Sequence, residues 1–273
     1  MQQRAKSKTH QAKPWLERFA RLGFLAKGAV YLTVGVLAAQ AAFGSGGRTT
    51  DTQGAVQTIS RQPFGQVLLV VLSLGLISYA LWRFMQAALN PADREGAKGV
   101  VARGAFIASG VIHVALAVTA VGLLLGSGGG GGGSTEQDIT AQLLAVPFGR
   151  FLVGLVGLVV VGASIFQFVK AYRADFRDAL KLGEMSAAEA RWATRAGRMG
   201  YAARGVVFAL IGVFFFQAAF QADASEARGL GGTLGTLEQQ PYGPYLLGVV
   251  AVGLVLYGVY MGVEARYRNI YAE

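Results

Sequence analysis

Six windows of this 273-residue chain contain no Asp, Glu, Lys or Arg: 28–47, 62–82, 104–135, 151–169, 205–222 and 239–263. A helix rising about 1.5 Å per residue needs roughly 20 residues to cross a bilayer core, and each window is about that long or longer. In hydrocarbon no water pairs with free backbone N–H and C=O groups, so each window is expected to be helical. Charged residues make up 15% of the chain and apolar residues 53%, whereas a soluble domain carries roughly 25% charge. The expected fold is an all-α integral membrane protein with six transmembrane helices, at about 22–43, 64–87, 101–125, 148–171, 200–221 and 243–265.

The net charge of +10 would point to nucleic acid in a soluble protein, but its distribution points to the membrane. Segments 1–27, 83–103, 170–204 and 264–273 hold 7, 4, 8 and 2 Lys or Arg, and the alternate loops hold four. Basic residues accumulate on the cytoplasmic side of a membrane, so both termini are expected inside, in an N-in/C-in topology. With no cysteine, the chain has no disulfide, thiolate chemistry or Cys-based metal site. The first apolar window is too long for a signal-peptide core and is expected to be retained.

The apolar windows are entered in a repeated way. Arg198-Met199-Gly200-Tyr201-Ala202-Ala203-Arg204-Gly205 has a first copy, Arg21-Leu22-Gly23-Phe24-Leu25-Ala26-Lys27-Gly28, and a weaker middle one, Gly99-Val100-Val101-Ala102-Arg103-Gly104. Residues 21–44 and 198–221 agree at 11 of 24 positions, whereas 97–120 matches the first copy at only 6. Each entrance is followed by a turn signature: Pro63-Phe64-Gly65, Pro147-Phe148-Gly149 and Pro241-Tyr242-Gly243. Two spans restore the starting orientation, so the units are parallel two-helix repeats, expected around a pseudo-threefold axis along the membrane normal. The divisions are a basic cytoplasmic tail at 1–18, repeat 1 at 19–90, repeat 2 at 97–172, a cytoplasmic connection at 173–197 and repeat 3 at 198–268.

Local signals fill in the loops. Pro63 suits the first turn of a helix, where its missing N–H is no loss. Ser186-Ala187-Ala188-Glu189 has capping-box spacing and predicts a short helix before span 5. Leu230, Leu234 and Leu237 predict another before Pro241, with a weaker pattern at Ala55, Val56 and Ile59. Trp15, Leu16 and Phe19 suit the inner interface. The outer loop of repeat 2, 126–134, contains Gly128 to Gly133; a phosphate-binding loop needs Lys and Ser/Thr after its last Gly, so a flexible linker fits better.

The repeated entrances, the Pro-aromatic-Gly turns and the Arg198–Gly205 string resemble the bacterial membrane family catalogued as domain of unknown function 1206. The resemblance covers about 18–268, most specifically in the third copy. It implies a bacterial inner-membrane protein of three two-helix units and implies no activity.

Lys27, Arg103 and Arg204 occupy equivalent positions in the repeats. Either they form a basic ring for an anion or lipid headgroup, or each anchors its helix by snorkelling to the interface. His113 is the ionisable side chain nearest the middle of a span; its equivalents are Leu37 and Phe214. This favours a neutral His bonded within a helix interface over a proton relay or metal ligand. Gln40 and Gln217 are a matched polar pair suited to interhelical hydrogen bonding or to lining a cavity. Lys170 and Glu264 are equivalent at the ends of spans 4 and 6. Gly28, Gly35, Gly205, Gly212, Gly258 and Gly262 suit close helix packing. Pro63, Gly65, Pro147, Gly149, Pro241 and Gly243 are structural turn residues. No nucleophile–base pair, carboxylate dyad or metal-ligand cluster is evident, so an enzyme, a cofactor and a metal are not expected. The favoured function is that of an accessory or scaffold protein binding membrane lipids or another membrane protein. The alternative is a channel or transporter passing an ion or small solute along the repeat axis.

Overall fold

The computed structural model describes residues 14–45, 47–89, 96–126 and 135–269. The tail before Pro14, Asn90-Pro91 and Gly128 to Gly133 lie outside these residues, as do the side chains of Trp15 and Leu16. Among the described residues the chain is all-α. The helices are α1 (Pro14–Ala42), α2 (Thr52–Ser60), α3 (Gly65–Leu89), α4 (Gly96–Leu124), α5 (Thr135–Leu144), α6 (Gly149–Arg173), α7 (Ala187–Gln221), α8 (Leu230–Glu238) and α9 (Gly243–Tyr267). Six of them (α1, α3, α4, α6, α7 and α9) are long and apolar enough to cross a membrane, and they correspond to the six uncharged windows.

The loops differ from expectation in three places. Ser186 does cap a helix, accepting from Glu189 N at 3.2 Å while the Glu189 carboxylate accepts from Ser186 N at 2.7 Å. That helix is not a short separate piece, however: α7 runs unbroken for 35 residues into span 5. Gly197 and Gly200 do not break it, because each is held against an aromatic neighbour, Phe176 and Tyr257 respectively. The second difference is α5, a helix in the connection between α4 and α6 that the sequence pattern did not reveal.

The third concerns the turn signatures. Pro63, Pro147 and Pro241 precede the helix rather than occupying its first turn; the proline at the start of α9 is Pro244. The aromatic residue between Pro and Gly takes a left-handed backbone in all three copies, with φ of 62° at Phe64, 63° at Phe148 and 61° at Tyr242. The following glycine is required by close approach. A Cβ on Gly65, Gly149 or Gly243 would fall 2.0, 2.1 or 2.0 Å from the carbonyl oxygen of Ser60, Leu143 or Glu238.

The long helices pack in the order α4–α3–α1–α9–α7–α6, each against the next. The tight contacts use small residues where backbones meet. A Cβ on Gly28 would lie 2.9 Å from Gly258 O, one on Gly35 would lie 2.7 Å from Val255 N, and one on Gly212 would lie 2.5 Å from a Val161 methyl. Gly262, by contrast, faces open space. Between the turn signatures and mid-span, Val30, Val34, Leu72, Leu76, Leu247 and Leu254 anchor one apolar core, and Val56 of α2 and Leu234 of α8 close its end. A second, aromatic core lies at the opposite, basic end, with Phe24, Tyr79, Phe176, Tyr201, Tyr257 and Tyr260 buried together. There Tyr267 and Asn269, at the end of α9, are tied to the segment after α6: Lys181 N donates to Tyr267 O and Asn269 N to Ala179 O, both at 2.7 Å.

Candidate functional site

The aromatic core at the basic end carries the buried charge of the bundle. Lys27 of α1 is buried, and its Nζ donates to Tyr79 Oη of α3 at 3.1 Å. Arg204, the equivalent residue on α7, donates through Nη1 to Tyr257 Oη of α9 at 2.6 Å. Tyr79 and Tyr257 are themselves equivalent, each sixteen residues beyond its signature proline, Pro63 or Pro241. The two pairs are therefore one arrangement used twice. A repeated glycine makes each possible: a Cβ on Gly23 would fall 2.7 Å from Tyr79 Cβ, and one on Gly200 would fall 2.6 Å from Tyr257 Cα.

A third cation joins them. Arg83, one turn beyond Tyr79, donates through Nε to the same Tyr79 oxygen at 3.0 Å and through Nη1 to Gln86 Oε1 at 2.8 Å. Its guanidinium lies 4.9 Å from the Tyr79 ring centroid and 5.4 Å from that of Phe106 on α4. Lys27 bridges the two tyrosines, 5.0 Å from the Tyr79 centroid and 5.6 Å from that of Tyr257. Arg204 stacks on Tyr257 and Tyr31 at 4.5 and 5.2 Å. With its amide oxygen turned toward Arg204, Gln167 of α6 accepts from Nη1 at 3.0 Å and Nη2 at 3.3 Å.

Three cations thus surround two phenols. No carboxylate lies within ion-pair distance of Lys27, Arg83 or Arg204 among the described residues. The fully buried carboxylate, Glu264, is engaged elsewhere: it pairs with Arg268 at 2.8 Å and accepts from Tyr260 Oη at 3.0 Å. Its equivalent, Lys170, sits 4.5 Å from the Tyr201 ring centroid. Cation–π contacts contribute about 0.5–2 kcal/mol each. Withdrawing one ion from water costs several kcal/mol even after relaxation. Lys27 is buried, Arg83 and Arg204 are half-buried, and phenols, rings and the amides of Gln86 and Gln167 hold them without supplying a negative charge, so the arrangement suits a negatively charged group.

Of the remaining sequence candidates, His113 adjoins the cluster, whereas Arg103 is exposed on α4, and Gln40 and Gln217 are exposed on α1 and α7. His113 is buried against Tyr79, ring centroids 4.4 Å apart, with Nδ1 2.7 Å from Ser109 O. A carbonyl only accepts, so Nδ1 carries the proton. No cluster of three metal-ligating side chains occurs among the described residues.

Arg83, Tyr79, Tyr257, Gln86 and Gln167 were not singled out by sequence. Arg83 is one more charge of the basic segment 83–103. A signal did exist, because the repeat register aligns Tyr79 with Tyr257, and Gln86 with Lys170 and Glu264. Tyrosine and amide side chains carry no charge to mark them out within an apolar helix.

No solved structure matches the chain. An uncharacterized protein of Bacillus subtilis (strain 168), YxxB, is 37% identical over 264 residues, covering 95% of this chain and 94% of the relative. The family described as Domain of Unknown Function (DUF1206) matches at residues 22–90, 104–174 and 199–268, one match for each repeat read from the sequence. A thrice-matched family pattern, laid over six long apolar helices, places the chain in the DUF1206 family as a multi-pass membrane protein.

Proposed function

We propose that this protein is a non-enzymatic component of the bacterial inner membrane that binds the phosphate of an anionic lipid at the basic end of its bundle. The observation that carries this reading is the group of Lys27, Arg83 and Arg204 around Tyr79 and Tyr257 without a carboxylate partner. In this reading the three repeats surround a pseudo-threefold axis and both termini are cytoplasmic. The site then lies near the leaflet whose anionic lipids attract Lys and Arg. The apolar core beyond the cluster, filled by Val34, Leu72, Leu76, Leu247 and Leu254, supports a held ligand over one passing along the axis. The exposed positions of Gln40 and Gln217 support the same choice.

The test compares the wild-type protein with a Lys27→Gln, Arg83→Gln, Arg204→Gln variant in nanodiscs of phosphatidylglycerol or phosphatidylcholine. Retained lipid is weighed by native mass spectrometry. The wild type is expected to keep phosphatidylglycerol preferentially. The variant should lose that preference by at least about tenfold, which corresponds to about 1.4 kcal/mol. Equal retention by both proteins rejects the reading. Stabilisation by inorganic phosphate alone would identify a soluble anion, rather than a lipid, as the ligand.

A further inference from the structure

The middle repeat departs from its neighbours at one interface. In repeats 1 and 3 the two helices of the hairpin are closed by matching contacts. Gly75 admits Ala26, a Cβ there falling 2.5 Å from Ala26 Cβ, and Gly253 admits Ala203 in the same way at 2.3 Å. Tyr79 seats on Gly23 and Tyr257 on Gly200. Trp82 packs with Ala20, and its equivalent Tyr260 lies against Gly197.

In the same register repeat 2 has Val159 for the glycine, Ala163 for the tyrosine and Phe166 for Trp82 or Tyr260. A valine cannot enter a contact already too close for one methyl group. Ala163 offers no phenol to Arg103, which is exposed. Val159 is 65% exposed and Phe166 64%, whereas Trp82 is 7% and Tyr260 0%. Accordingly α4 and α6 do not pack on one another as α1 does on α3 or α7 on α9, and Gly104 and Gly162 face open space. The helix row is closed everywhere except at this hairpin.

The split is bordered by the charged site. On the α4 side, His113 lies on Tyr79 and Phe106 lies under Arg83. On the α6 side, Gln167 holds Arg204. We propose that the split between α4 and α6 is a lateral doorway. Through it the headgroup of an anionic glycerophospholipid reaches Lys27, Arg83 and Arg204, while its acyl chains stay against the apolar faces of the two helices. The charge complements the cations, and the exposed side chains Ile107, Val111, Val159 and Phe166 match the chains. The doorway rests on the headgroup reading above.

The experiment follows exchange of fluorescent phosphatidylglycerol into nanodisc-embedded protein. In Val159→Gly, Ala163→Tyr, repeat 2 regains the closing residues of its neighbours; exchange should slow at least about tenfold while the six helices persist by circular dichroism. A cysteine pair, Ala102→Cys with Val159→Cys, provides a second closure in a chain that has no other cysteine. Direct disulfides need Cα atoms within about 7 Å, so oxidation alone should not join the pair but a longer bismaleimide should, again halting exchange. Spontaneous disulfide formation within one chain would mean a closed hairpin and overturn the doorway. So would unaltered exchange in the bridged protein, and so would a disulfide between two chains carrying Val159→Cys alone, which would put a second copy in the split. Absence of phosphatidylglycerol binding by the wild type would overturn the headgroup reading itself. Binding with exchange indifferent to bridging would overturn only the doorway.

Discussion

Gly200 and Gly262 belong to the same pair of contacting helices, α7 and α9, yet they meet different surroundings. A Cβ on Gly200 would fall 2.6 Å from the Tyr257 backbone, whereas one on Gly262 would meet nothing within 4 Å. Gly200→Ala is therefore expected to lower stability by about 1–3 kcal/mol, the usual range for overpacking. Gly262→Ala should be neutral or slightly stabilising, since alanine favours a helix by up to about 1 kcal/mol. Thermal unfolding of both variants in one detergent checks the contrast. The Glu264–Arg268 pair is a different dependence. Both partners are buried, so Arg268→Gln removes the ion-pair partner of a buried carboxylate and should cost about 3–5 kcal/mol. Replacing both by Met is expected to cost far less, as measured in the same unfolding experiment.

The turn signatures make a prediction about whole elements. An aromatic residue in left-handed backbone costs roughly 1–2 kcal/mol relative to glycine. All three copies bear that cost with their rings largely exposed. Phe64→Gly should therefore stabilise the protein by about 1 kcal/mol in detergent, by relieving the backbone. In a bilayer the gain should shrink, because interfacial aromatic residues favour the headgroup region. Gly65→Ala should destabilise in both, since its Cβ would fall 2.0 Å from Ser60 O. Such turns were legible as tripeptides but not as conformations. Proline suits the first turn of a helix, whereas here the backbone turns left-handed at the aromatic residue and only then begins to coil. In α7 the capping signal was legible and the length was not. The charges between Glu189 and Arg204 interrupt the apolar pattern without interrupting helical hydrogen bonding.

For the molecule as a whole, a ligand that binds only the folded bundle raises its stability by mass action, by about 2.7 kcal/mol at a hundred times its dissociation constant. Phosphatidylglycerol should therefore raise the unfolding temperature of the wild-type protein, and the Lys27, Arg83, Arg204 triple Gln variant should lose that increase. The comparison separates a ligand site from three cations that merely anchor helices. Anchors would respond to any headgroup at the interface.

The sequence alone determined the spans, the three repeats and the positions of the turns. Hydropathy, repetition and turn chemistry are properties of neighbouring residues, which the chain carries whether or not it is packed. It also put Lys27, Arg103 and Arg204 in one register. Only the tertiary structure decided that Lys27 and Arg204 meet tyrosines while Arg103 remains exposed, and that Arg83 joins them. Those outcomes depend on how closely helices from distant parts of the chain approach and how each is rotated. Contacts at Gly23, Gly75, Gly200 and Gly253 set that approach in two hairpins, and Val159, with the Ala163 beside it, leaves it unmade in the third.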